Sequence, residues 1–319
     1  MTHSPAVCCF GETLGSIACT TGYRLADGAT GELGFVGAES NVAIALARLG
    51  HPVRYVSALG DDPFGWRILK ALRSEGVDTE GVEIISGSPT ALLLRDRPAW
   101  GEPAVYYYRG SSAFAVRCAA LAESLALDNV RILFLTGITP ALSGACREAV
   151  AGLVERASSQ GTQVWFDINF RAKLWTAQQA AAFVRTHLQH IHGIFAGREE
   201  AQLVFPDSRF EDLATHFFDA GTSELVLKSG ALGASFHSRE TVLTQSAFPL
   251  RQEIYPIGAG DAFNAGFISA RCEALPLRAQ LERGCALGAL ACLSSGDWEG
   301  SPTQSELERF LRQETASQR

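Results

Sequence analysis

The chain has 319 residues, enough for one large α/β domain or two ordinary ones, and 47% of them are hydrophobic, ample for a core. Charged residues make up 19%, which excludes general disorder, and a net charge of −7 without a basic run argues against nucleic acid or an anionic membrane surface as partner. No apolar run approaches the ~18 residues a membrane span needs, and the N-terminus lacks a charged-then-apolar signal pattern, so a cytoplasmic protein is expected.

In chain order, residues 14–36 are Gly-rich and strand-like, without a helical period. A helical pattern follows from Glu39 to Leu49, with Val42, Leu46 and Leu49 on one face and Gly50 as its stop. Val53–Leu59 reads as a strand. Asp62-Pro63 supplies a cap and a first-turn proline for the next helix, which Gly76 closes. Residues 90–112 are again strand-like and lack a helical period. Beyond them, strand patterns at 131–135, 163–168, 191–196 and 224–228 alternate with helical patterns near 146–158, 177–190 and 210–220. This alternation predicts an α/β fold with a mostly parallel sheet and helices on both faces. The two exceptional segments, about 14–36 and 90–112, are expected to pair as a small separate sheet, a candidate lid. With no linker or repeat, one domain over 1–319 is expected.

The eight cysteines (Cys8, Cys9, Cys19, Cys118, Cys146, Cys272, Cys285 and Cys292) form no C-x-x-C pair, and most lie in apolar segments, so reduced core thiols are expected. His187, His190 and His192 cluster at a helix end, where cationic side chains suit the dipole. The sequence offers no further ligands to make them a metal site.

Chemistry concentrates in the run Ile257-Gly258-Ala259-Gly260-Asp261-Ala262-Phe263-Asn264-Ala265-Gly266. Glycine turns leave backbone N–H groups free to face an anion, and the helix that follows adds its own free N–H groups and positive dipole end. Asp261 would then stand beside a bound phosphate, placed to take a proton from an attacking hydroxyl. Asp is also an ordinary helix cap. A dinucleotide-binding turn fits worse, because the spacing G-x-G-x-x-F lacks the third glycine.

Four other segments carry polar groups at suggestive places. Asp167-Ile168-Asn169-Phe170-Arg171 ends a strand with alternate polar side chains, and Arg171 offers a planar fork for phosphate or carboxylate. Tyr107 and Arg109 share one strand face, which suits a hydroxylated anionic molecule and equally suits an amphipathic edge strand. Lys228-Ser229-Gly230-Ala231-Leu232-Gly233 could approach a nucleotide or simply turn a hairpin. In Val36-Gly37-Ala38-Glu39-Ser40-Asn41, capping explains Ser40 and Asn41 nearly as well as ligand binding does.

Taken as an ordered set over nearly the whole length, these segments resemble the ribokinase-like (pfkB) carbohydrate kinases. The resemblance runs through Gly37–Ala43, Leu59-Gly60-Asp61-Asp62-Pro63-Phe64-Gly65, Tyr107-x-Arg109, Gly137-Ile138-Thr139-Pro140-Ala141-Leu142, Asp167–Trp175, the Gly258–Asp261 turn and Gly296–Gly300 with Pro302. Within the family it is most similar to the 2-keto-3-deoxygluconate kinases, through the Gly137–Leu142 segment and the Tyr-x-Arg pair. The implied fold is a three-layer αβα sandwich with a small β-sheet lid.

By this resemblance, Asp261 is the base that deprotonates the sugar's primary hydroxyl, and Gly258, Ala259 and Gly260 present N–H groups to the transferred phosphoryl. Gly37, Asn41, Tyr107, Arg109, Ile138, Arg171 and Asp297 would form the sugar site, its two arginines suiting an acid sugar. Asn169, Lys228, Ser229, Gly230, Gly233 and Cys285 match nucleotide positions, and Glu200 the acidic residue linked to magnesium. The implied cofactors are ATP and Mg²⁺, with a monovalent cation left open, and the implied partner is a second copy docked through the lid.

The chain departs from the usual family pattern at Val36, Leu93, Gly197, Tyr255 and Cys285. Two alternatives stay in view: a kinase for fructose or another ketose or sugar acid, motivated by Leu93, and a non-catalytic sugar-binding relative, motivated by Gly197, Tyr255 and Cys285.

Overall fold

The computed structural model describes residues 6–19, 24–28, 30–96, 104–250 and 257–317, so Tyr255 and parts of both lid segments lie outside the described residues. Along the chain come β1 (Val7–Phe10), β2 (Leu14–Cys19), β3 (Gly31–Val36), α1 (Ala38–Arg48), β4 (Val53–Gly60), α2 (Pro63–Ser74), β5 (Val82–Ile85), β6 (Leu92–Asp96) and β7 (Ala104–Tyr108). There follow α3 (Ala113–Ser124), β8 (Ile132–Thr136), α4 (Ile138–Ala141), α5 (Gly144–Ser159), β9 (Gln163–Asp167), α6 (Ala177–His187), β10 (Gly193–Gly197), α7 (Arg198–Val204) and α8 (Leu213–Asp219). The last third holds β11 (Glu224–Lys228), β12 (Ala234–His237), β13 (Val242–Gln245), α9 (Ala259–Cys272), α10 (Leu277–Ala291) and α11 (Gln304–Ser317).

Nine strands form the main sheet in the order β13-β12-β11-β10-β9-β8-β1-β4-β5. Every neighbouring pair is parallel except β11–β12 and β12–β13, which close one edge as an antiparallel meander. Strands buried on both faces read as near-continuous apolar runs, and β1 (VCCF) and β8 (ILFLT) are of that kind. Alternate residues then go to opposite sides. Cys8, Phe10, Leu133 and Leu135 pack beneath α3, α5 and α6, whereas Val7, Cys9, Ile132 and Phe134 pack beneath α1, α2, α9 and α10. The result is the expected αβα sandwich.

The second expected sheet is also present. Four strands pair in the order β3-β2-β6-β7, with β2–β6 parallel and the outer pairs antiparallel. Local signals acted as their chemistry predicts: Pro63 opens α2, and the Asp62 carboxylate accepts from Gly65 N at 2.8 Å. Two helical patterns end or begin differently from expectation. The 177–190 pattern finishes in a 3-10 turn at Leu188–His190, and the 210–220 pattern starts with one at Phe210–Asp212. No disulfide joins the eight cysteines among the described residues, and six of them are buried. His187 Nδ1 lies 2.7 Å from the Phe183 carbonyl oxygen, and no cluster of three or more potential metal ligands exists among the described residues. No helix among them is long and apolar enough to cross a membrane.

Candidate active site

The parallel strands end on a common side of the sheet, where open α/β sheets bind ligands. There the residues following β1, and Asp167 and Lys228 at the ends of β9 and β11, face the small sheet. Between them lies a cavity of about 440 Å³. Gly37, Asn41, Tyr107, Arg109, Ile138, Arg171, Asp297, Asn169, Lys228, Glu200, Gly258, Gly260 and Asp261 all line it. Ala259, Ser229, Gly230, Gly233 and Cys285 are not among its lining residues.

Asp261 stands in the first turn of α9, whose N-cap, Gly258, has a left-handed backbone (φ 81°). A Cβ at Gly258 would overlap the Asp297 carbonyl oxygen, so both dihedral and space demand glycine there. Asn41, in α1, donates Nδ2–H to Asp261 Oδ2 at 2.8 Å across 220 residues of sequence. Its own Oδ1 is buried without a hydrogen-bond partner among the described residues. Burial pushes the Asp261 carboxyl up to about 7, against the lowering effect of the Asn41 hydrogen bond. The Asp167 charge raises it further, while Lys228 and Arg171 oppose.

Around this centre most charges are paired. Lys228 Nζ donates to Asp167 Oδ2 at 2.7 Å, and Asn264 Nδ2 donates to the same oxygen at 2.7 Å. Arg109 lies against the Glu12 carboxylate, with Nε donating at 2.7 Å, and Ser112 Oγ donates to the other Glu12 oxygen. The Arg109 guanidinium also lies 5.5 Å from the Tyr107 ring centroid. Arg95 grips Asp297 with both terminal nitrogens, at 3.1 and 3.3 Å. Arg171 differs: it is exposed, and its guanidinium makes no ion pair or hydrogen bond among the described residues.

Local backbone explains how several groups arrive here. Asn169 adopts φ 40°, a costly conformation for a non-glycine residue and one that gathers at functional sites. Both Glu200 oxygens are used for backbone, accepting from Phe170 N at 2.8 Å and Gly197 N at 2.7 Å. Glu200 thus ties the bend after β9 to the start of α7, and Gly197 keeps a cap role at that position. Gly37 sits where a Cβ would press on the Glu12 carbonyl oxygen and Ser40 Oγ at 2.7 Å. The Glu12 turn is itself pinned by Tyr55, whose hydroxyl donates to Gly11 O at 2.8 Å.

Sequence reasoning missed Glu12, Glu39 and Arg95 as cavity residues. Glu39 is fully buried and accepts from Thr136 Oγ1 at 2.7 Å and Thr139 Oγ1 at 3.3 Å. Burial raises its carboxyl to about 7 despite the Thr136 hydrogen bond. A Cβ at Gly11 would collide with this carboxylate, and that glycine was the available signal. Leu93, one of the departures from the usual family pattern, lines the cavity from β6.

The residues present suit a nucleotide's phosphates. Gly260 leaves open space at the mouth of the α9 turn, its nearest neighbour to a Cβ being Lys228 Nζ at 3.6 Å. Gly230 (φ 55°) has nothing within 4 Å of a Cβ, and Gly233 (φ 101°) is packed against the Gln245–Ala247 backbone. Cys285 is buried in α10 with Sγ 3.9 Å from the Gln245 carbonyl oxygen, behind this turn.

A carboxylate at an anion-facing helix start, set over the strand ends of an αβα sandwich, marks a phosphotransferase-type site. The chain belongs to the pfkB family of carbohydrate kinases, which matches residues 4–304. It is 33% identical over 307 residues to the 2-dehydro-3-deoxygluconokinase of Bacillus subtilis (strain 168), covering 95% of this chain and 94% of that one. It is 32% identical over 310 residues to the 2-dehydro-3-deoxygalactonokinase of Haloferax volcanii, covering 95% of each. The crystal structure of a PfkB protein from Polaromonas sp. JS666 superposes with a TM-score of 0.86 at 29% identity, over 96% of this chain and 99% of that one.

Proposed function

We propose that the protein is an ATP-dependent kinase that phosphorylates 2-dehydro-3-deoxygluconate (2-keto-3-deoxygluconate) on its 6-hydroxyl. The observation that carries this reading is one cavity holding both a hydrogen-bonded carboxylate at an anion-facing turn, Asp261, and a cation with no ion-pair or hydrogen-bond partner among the described residues, Arg171. Two relatives with 2-dehydro-3-deoxy sugar acids in their names support the substrate class.

Phosphoryl transfer is mostly positioning and charge stabilisation. In this reading Asp261 takes the proton of the sugar hydroxyl, and a carboxyl held near 7 is basic enough to do so around neutrality. The N–H groups of Gly258, Ala259 and Gly260 and the positive end of α9 face the transferred group. Asn41 orients Asp261. Arg171 pairs with the sugar carboxylate, and its planar fork suits that geometry. Arg109 cannot serve as a second free cation, because Glu12 neutralises it. Together with Tyr107 it forms a polar wall of fixed shape.

On the nucleotide side stand Asn169, Lys228, Ser229, Gly230 and Gly233, with Cys285 packed behind. Bound ATP with Mg²⁺ supplies the phosphoryl group and offsets part of its charge. Glu200 acts there by fixing the Asn169–Phe170 bend rather than as a ligand. The small sheet serves as the lid over the sugar end, and its outer face as the contact with a second copy.

The Haloferax relative favours the C4 epimer, 2-dehydro-3-deoxygalactonate, as a second reading. Calorimetric titration of wild type and Arg171→Gln with each sugar acid and with fructose separates these cases. The wild type should bind the gluconate form at least about tenfold more tightly than fructose, and Arg171→Gln should erase that margin. Tighter binding of the galactonate form would establish the second reading. Equal binding of fructose by the wild type would remove the acid-sugar assignment.

A further inference from the structure

Arg95 lies in β6 of the small sheet, whereas Asp297 lies in the loop between α10 and α11. Their side chains, only 6% and 10% exposed, meet in a two-point grip across 202 residues of sequence. Planar two-point pairing fixes direction as well as distance, which a single ammonium does not do. The backbone of the residue so held is the part that matters. Its carbonyl carbon would lie only 2.8 Å from a Cβ on Gly258, so the two chains are in direct contact where the left-handed turn enters α9.

We infer that Arg95 is a positioning residue for phosphoryl transfer: by gripping Asp297 it holds that residue's backbone against Gly258 and thereby fixes the anion-facing turn from the small sheet. The Asp297 carboxylate then serves as the handle for this grip, not as a sugar contact. The rest of the loop is secured independently. Arg48, from α1, donates to the carbonyl oxygens of Glu299 at 3.1 Å and Ser301 at 2.7 Å, and Trp298 stacks on Phe35 of β3 with ring centroids 4.9 Å apart. Loss of Arg95 therefore frees Asp297 without unfolding the loop around it.

This inference rests on the kinase reading above, through the role given to the Gly258 turn. The test is steady-state kinetics of ATP-dependent transfer to 2-dehydro-3-deoxygluconate by wild type, Arg95→Lys, Arg95→Gln, Asp297→Asn and the Arg95→Gln/Asp297→Asn double variant, each with its melting temperature. Arg95→Gln and Asp297→Asn should each lower kcat at least about tenfold while changing the sugar KM less than about threefold. The double variant should be no slower than the worse single one, as expected for residues acting through one contact. Arg95→Lys should recover part of the loss. A raised sugar KM with kcat intact would make Asp297 a sugar contact and overturn the inference. So would a fall in melting temperature with wild-type kcat, or multiplicative losses in the double variant. A wild type that transfers nothing to any sugar acid would instead remove the kinase assignment.

Discussion

Asp261 is the proposed base, and its environment makes an opposed demand on stability. At about 7 its folded pKa stands well above the ordinary aspartate range, so the folded protein holds this proton more tightly than the unfolded chain does. Stability from this group is therefore greatest at low pH and falls as pH rises from about 4 to about 7. Asp261→Asn removes the penalty. It should be more stable than wild type by something on the order of 1–3 kcal/mol at pH 8, and by less at pH 5. Urea unfolding at the two pH values measures this, and a difference that did not grow with pH would contradict the assignment of burial as the cause. Glu39 is raised in the same direction, partly by the Asp261 charge itself, so Asp261→Asn also relieves part of the Glu39 shift and adds to the difference in the same sense. At this scale the sequence was most legible where a residue's type dictated its role. The glycine turn, Asp261, Asn41 and Arg171 were all read in advance. Glu12 and Arg95 were not, because a buried ion pair reaching across 97 or 202 positions leaves no local spacing to detect.

At the scale of elements, periodicity found many of the strands and helices, but not the short strands β1 and β5 or the C-terminal helix α11. It passed over α3 (AFAVRCAALAES) and α10, whose apolar residues lie nearly all round, so no amphipathic stripe marks them. The β12–β13 meander was hinted at only by a turn signal at Gly230–Gly233. The small sheet was legible because its segments lacked a helical period. Its register also separates its two faces. Leu93 and Tyr107 pair on the cavity side, whereas Leu94 pairs with Tyr106 and Leu92 with Tyr108 on the other. On that outer face Leu33, Tyr106 and Tyr108 are 56%, 51% and 62% exposed, an apolar surface of the kind that marks an interaction site. The homodimer proposed for this face predicts that a Leu33→Lys/Tyr108→Arg double variant runs as a monomer by light scattering, while the wild type runs as a dimer at micromolar concentration. A monomeric wild type would contradict it.

At the scale of the whole molecule, strand–helix alternation was enough to predict the layered architecture, and the ordered motifs were enough to predict the family. The sequence could not reveal how the charges would be distributed once folded. Two arginines were read as available to an acid sugar, yet of the two only Arg171 reaches the cavity without a carboxylate against it among the described residues. The cavity thus sets one available cation, Arg171, beside the raised carboxyl of Asp261, with the buried Glu39 carboxyl raised as well, and the free cation fits a singly charged sugar acid better than a neutral ketose. The most direct test is a coupled assay of ATP consumption over 2-dehydro-3-deoxygluconate, its C4 epimer and fructose, with wild type and Asp261→Asn. The expected result is a kcat/KM at least about tenfold higher for the gluconate form than for fructose, and a loss of about 10²–10⁴ in kcat for Asp261→Asn. A preference for fructose, or an Asp261→Asn variant with near-normal turnover, would contradict the assignment of this site as an acid-sugar kinase centre built on Asp261.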